Sequence, residues 1–125
     1  MFLLGIVVGT VAATNIVNAL RQRDAYRRGV MNVMQHRYAA LRHDLRLNRC
    51  DVKTTAPALA SLYEFAGDLE QVFYPDDTVD TPFHEYAQRL RDALAATVVA
   101  TDCPALAPTI GKIDAACDAC HRQYR

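Results

Sequence analysis

The chain has 125 residues, 51% of them hydrophobic and none of them tryptophan, which leaves room for one small domain with one core. Fourteen basic and fourteen acidic side chains cancel to a formal net charge of zero, so the overall balance gives no reason to expect nucleic acid as a partner.

Residues 1–20 hold no charged side chain, and Phe2-Leu3-Leu4-Gly5-Ile6-Val7-Val8 is strongly apolar. The segment reads as a signal peptide or as a retained anchor. Val11-Ala12-Ala13 would serve as a cleavage site, but the basic flank of a secretory signal is missing. As an anchor the stretch is about long enough to span a bilayer at ~1.5 Å per residue, although Thr10, Thr14, Asn15 and Asn18 weaken it. Arg21, Arg23, Arg27 and Arg28 follow on the side that positive-inside bias would assign to the cytoplasm.

Residues 21–125 read as a single helical domain. From Leu20 to Leu45, apolar residues recur at Leu20, Tyr26, Val30, Met34, Tyr38, Leu41 and Leu45, which predicts one long amphipathic helix. Leu59, Leu62, Ala66, Leu69 and Phe73 predict a second, with Pro57 near its start, where a missing N–H is tolerated. Tyr74-Pro75-Asp76-Asp77-Thr78 is turn chemistry, and both aspartates read as turn residues rather than ligands. Phe83, Tyr86 or Ala87, Leu90, Leu94 and Val98 then give a third periodic face, ending near Thr101-Asp102. Pro104 opens a fourth segment, in which Leu106, Ile110, Ile113, Cys117, Cys120 and Tyr124 alternate by four and three, with Pro108 expected to delay or kink the first turn. Four amphipathic helices without an alternating strand pattern predict an all-α, up-down-up-down antiparallel four-helix bundle carrying an N-terminal apolar helical extension.

The fourth segment ends in Cys117-Asp118-Ala119-Cys120-His121, the Cys-x-x-Cys-His signature of covalent haem c attachment. On a helix these three side chains project to one side, so two sulfurs can reach the two vinyl groups of a porphyrin while the imidazole reaches iron. A zinc site lacks its second pair of ligands. A redox dithiol would open a helix rather than close one. One covalently attached haem, with His121 as proximal iron ligand, is therefore the expected cofactor.

With these residues in hand, the chain from about residue 20 to the end resembles the class II c-type cytochromes, the cytochrome c prime family. The resemblance rests on Ile110-Gly111-Lys112-Ile113, the Cys117–His121 motif, Tyr124-Arg125, and Tyr26-Arg27-Arg28-Gly29-Val30-Met31 on the first helix. Two departures stand out: Asp114 sits where the family often has Gly, and the loop before the third helix is short and lacks the tryptophan often found there. The resemblance implies a four-helix haem protein in which a first-helix residue faces the distal side of iron, and matching Tyr26-Arg27 puts Met31 there. Met/His ligation suits an electron carrier. Met34 is the rival ligand and His36 a weaker one, while Met31 and Met34 would otherwise simply fill core space. The resemblance also implies that Arg27 lies near the haem propionates and Arg125 near the proximal histidine, and that a homodimer forms through the first two helices.

The functional expectation is a periplasmic electron carrier, not an enzyme, with redox proteins as partners, either freely or as part of a membrane electron-transfer complex through residues 1–20. The competing expectation, if Met31 does not bind, is a five-coordinate protein that takes nitric oxide or carbon monoxide. Cys50 and Cys103 remain. In an up-down-up-down bundle they fall at the same end, so either they bridge, stabilising by roughly 4 kcal/mol and implying an oxidising compartment, or they stay as two buried thiols.

Overall fold

In the computed structural model, which describes residues 2–76, 78–99 and 102–124, the chain is all-helical, with four α-helices and no strand among the described residues. The helices are α1 (Phe2–Arg46), α2 (Val52–Phe73), α3 (Thr81–Ala95), extended by a 3₁₀ turn over Ala96–Val99, and α4 (Cys103–Tyr124). α1 packs against α2 and α4, and α3 packs against the same two, which is consistent with a four-helix bundle.

Local chemistry explains the boundaries. Asp51 caps α2 by accepting from the Thr54 N–H at 3.1 Å, Asp80 caps α3 through the Phe83 N–H at 2.7 Å, and Asp102 accepts from the Ala105 N–H at 2.8 Å at the start of α4. Pro82 and Pro104 each stand in the first turn, where their missing N–H costs nothing. α1 ends where Asn48 adopts a positive φ of 55°, a conformation asparagine tolerates better than most residues.

The core is one cluster. Val30, Met34, Tyr38 and Leu41 of α1 meet Leu59, Leu62, Ala66 and Leu69 of α2, Phe83, Leu90 and Leu94 of α3, and Leu106, Ile110 and Ile113 of α4. A disulfide joins Cys50, just after α1, to Cys103 at the head of α4, with Cα atoms 5.0 Å apart. It ties together the two ends of the chain segment that carries α2 and α3.

Several expectations need correction. α1 does not begin near Leu20 but runs unbroken from Phe2, and its core face starts only at Val30, since Leu20 and Tyr26 are 56% and 63% exposed. Among the described residues that part of the helix contributes nothing to the core and meets the rest of the molecule through Arg23, which pairs with Asp76 at 2.6 Å, so its periodicity has no core to face. α2 begins five residues before Pro57, which therefore lies inside the helix; Asp51 supplies the stronger start signal. α3 gives way to the 3₁₀ turn after Ala95, ahead of the boundary expected near Thr101-Asp102. α4 starts at Cys103 and holds Pro108 in its interior, so Pro108 does not delay it. Of the two candidates for the α3 face, Ala87 is the buried one. The Val98 side chain, Asp77 and Thr101 lie outside what is described.

Candidate functional site

The carboxyl-terminal turns of α4 carry Cys117, Cys120 and His121, and all three line one apolar cavity together with Met31 and Met34 of α1. A second, more open cavity adjoins it, lined by Arg27, Arg28, Met31, Phe83, Cys120, His121 and neighbouring residues. Met31, Phe83, Cys120 and His121 belong to both. Their volumes are about 60 Å³ and 290 Å³. Together they only reach the lower end of the ~300–1,000 Å³ typical of small-molecule sites. A porphyrin would need α1 and α4 side chains to move apart.

The two motif cysteines are free thiols, in contrast to Cys50 and Cys103. Burial, helped by Asp114, Asp118 and Cys120, pushes the Cys117 thiol up to about 11, and burial also raises Cys120. Both are protonated at neutral pH. A dithiol redox centre uses the opposite environment, one that favours thiolate. Among the described residues no group of three or more His, Cys, Asp or Glu side chains converges on a metal position, so a zinc cluster has no support here.

The candidate ligands separate by position. Met31 is partly buried and borders both cavities beside His121 and Cys120, Met34 is buried and borders only the first, and His36 is exposed and borders neither. His121 itself is exposed at the rim of both cavities. Arg27 packs its guanidinium over the Phe73 ring at 5.7 Å and donates from Nη2 to the Phe73 carbonyl at 2.8 Å. Its Nε is buried with no hydrogen-bond partner among the described residues. An orphaned guanidinium N–H at the edge of a cavity fits a carboxylate ligand such as a haem propionate. Arg125 lies outside the described residues.

Two features beside the motif were not anticipated. At the end of the bundle, Phe83 packs against Phe73, Tyr74 and Tyr124 at centroid distances of 5.6, 5.0 and 5.2 Å. Asp80 binds this cluster, accepting from the Tyr74 hydroxyl at 2.6 Å and from the Tyr124 hydroxyl at 2.5 Å. Tyr124 stands one helical turn beyond His121, so Asp80 anchors the turn that presents the imidazole. The Tyr124 hydroxyl, then Tyr74 and the Phe83 N–H, hold the Asp80 carboxyl below the usual range, and the same bonds raise both tyrosines. The Asp80-Thr81-Pro82 run, a capping residue followed by proline in the first turn, is the signal that locates Asp80. The second feature is Tyr38, whose hydroxyl donates to Asp114 Oδ1 at 2.9 Å and reaches the Ile110 carbonyl at 3.4 Å. Burial and the Asp114 bond push Tyr38 well above the ordinary phenol range. Asp114 thus ties α4 to α1 three residues before Cys117.

No family model matches the chain, and neither a curated protein nor a solved structure does.

Proposed function

We propose that the protein is a monohaem c-type electron carrier of the kind the class II cytochromes exemplify, not an enzyme, with redox proteins as partners. The observation that carries this reading is the apolar cavity that Cys117, Cys120 and His121 share with Met31 of α1. Cys117 and Cys120, both free thiols, would hold the haem covalently, one thioether each. His121 would offer its imidazole and Met31 its thioether as ligands to the iron. Bound haem supplies one-electron chemistry between ferric and ferrous iron. Arg27 would offer its buried Nε–H to a propionate, and the resemblance alone assigns Arg125 to the proximal histidine. Phe83 lines both cavities beside Met31, Cys120 and His121.

The reading carries an up-down-up-down order of antiparallel helices with an N-terminal helical extension. Its support is the ring of helix neighbours, and the Cys50–Cys103 bridge between the end of α1 and the start of α4. That bridge also supports an oxidising compartment such as the periplasm. A homodimer through α1 and α2 belongs to the same reading, and Val33 and Tyr63, 40% and 49% exposed on those helices, are available for it.

The test is the absorption spectrum of reduced, haem-loaded protein under carbon monoxide. Filled axial positions give a sharp low-spin pattern that carbon monoxide barely changes. Immediate stoichiometric binding would instead favour the five-coordinate gas-binding protein and remove Met31 as a ligand.

A further inference from the structure

Before Arg23, whose guanidinium pairs with Asp76 at 2.6 Å, α1 makes no hydrogen bond or ion pair to another helix among the described residues. Residues 5–26 are all exposed, and the first buried residue of the helix is Val30. Ile6, Val7, Val8, Val11 and Ile16 are each more than half exposed, and they point around the whole circumference rather than along one stripe. A single partner helix would need a stripe, whereas a helix that is apolar all round suits a surrounding apolar medium. Thr10 and Thr14 donate to the carbonyls of Ile6 and Thr10 at 2.9 Å, which satisfies them inside the helix as hydrocarbon requires, while the two remaining polar side chains, Asn15 and Asn18, lie within six residues of Arg21, toward the headgroup end. The first charges come immediately after the run, at Arg21, Arg23, Asp24, Arg27 and Arg28, a net excess of basic groups in which Arg23 pairs with Asp76 at 2.6 Å while Arg21 and Arg28 make no ion pair among the described residues. This is where anionic headgroups would lie.

This amino-terminal arm leaves the bundle at the end that holds the candidate site, because Arg27 and Arg28, at its root, line the same open cavity as Cys120 and His121. α1 is unbroken through this junction. Met31 lies eleven residues beyond Leu20, about 16 Å along the helix axis.

We propose that the arm inserts into a lipid bilayer and, as one rigid helix, holds the open Cys120–His121 end of the bundle at the membrane surface. Resting on the electron-carrier reading, this makes the redox partner one that works at that surface. Among the described residues no helix is long and apolar enough to cross a membrane, and insertion does not require a crossing. The uncharged residues 5–20 cover about 24 Å of the ~30 Å hydrocarbon layer.

Flotation of the full chain with vesicles tests the insertion, and it does not depend on haem. With phosphatidylcholine vesicles containing 30% phosphatidylglycerol (about one lipid in three), the chain should float, and Val8→Asp/Val11→Asp should lower the bound fraction at least ten-fold. Neutral vesicles should bind more weakly by about five-fold for each arginine that meets a headgroup. Spin-labelled headgroups should broaden amide signals of residues 119–124 at least twice as strongly as those around Cys50. The inference is overturned if the full chain stays unbound to both vesicles, or if the aspartate variant floats equally well. It is also overturned if a lipid-free oligomer forms that the variant dissolves, since the arm then covers a second copy, or if the Cys50 end is the one broadened. A chain that floats but never acquires haem would sink the electron-carrier reading and leave the insertion standing.

Discussion

Met31 and Met34 are three residues apart on one helix and have the same chemistry, yet they occupy different surroundings. Met34 is enclosed by the core, while Met31 borders both cavities beside His121. Met31→Ala should therefore open the haem-loaded protein to carbon monoxide and shift it toward a high-spin spectrum, whereas Met34→Leu should leave the spectrum low-spin and cost less than about 1.5 kcal/mol of stability. Chemical unfolding together with the spectrum separates the two. Tyr38 is the other residue whose role is local: Tyr38→Phe removes the hydroxyl bond to Asp114 across α1 and α4 and should cost about 0.5–1.5 kcal/mol. Sequence periodicity was enough to put Tyr38 on the core face. It could not reveal the acceptor, because Asp114 is 76 residues away and only the packed helices bring the two together.

At the scale of elements, the join between the start of α3 and the end of α4 depends on Asp80. Its carboxyl is held below the ordinary carboxylate value, so the stability it contributes is fully present above about pH 4 and is lost as pH falls through the folded value. Tyr74 and Tyr124 are raised, so their share is fully present below about pH 10 and is lost as pH climbs through their folded values. The end of α4 should thus stay ordered across the neutral range and loosen at both extremes. Amide exchange of residues 121–124 against pH measures this. Asp80→Asn keeps a capping side chain but should flatten the acid limb, and an unchanged acid limb would remove Asp80 from the account. The helices themselves were readable from apolar spacing, and the Cys117–His121 cluster from three to four residues of spacing on one helix. The boundaries were less so. Pro57 is a weaker marker than Asp51, because an interior proline can be tolerated when the surrounding helix is held by the core, whereas a cap directly satisfies an orphaned N–H.

At the scale of the whole molecule, the Cys50–Cys103 bridge closes the segment that contains α2 and α3, over a sequence separation of 53 residues. Chain-entropy reasoning gives about 4 kcal/mol, so Cys50→Ala/Cys103→Ala should lower the melting temperature by about 15 °C for a domain of this size. Calorimetry at matched haem content would show it. The bridge was one of two readings open to the sequence, and helix order favoured it. An apolar helical extension was expected at the amino terminus, but not its unbroken run into α1 or a core face that starts only at Val30, since a periodic apolar face says nothing of whether a core lies opposite. Arg27 illustrates the same gap: a resemblance suggested a carboxylate, while the fold adds the Phe73 ring and carbonyl as its present contacts.

The central claim is covalent attachment of haem to Cys117 and Cys120, and the intact mass of the chain after expression with haem-ligation machinery tests it most directly. The account predicts a mass above that of the polypeptide by one haem, resistant to acid extraction and lost in Cys117→Ala/Cys120→Ala. A colourless protein with the bare polypeptide mass would contradict it.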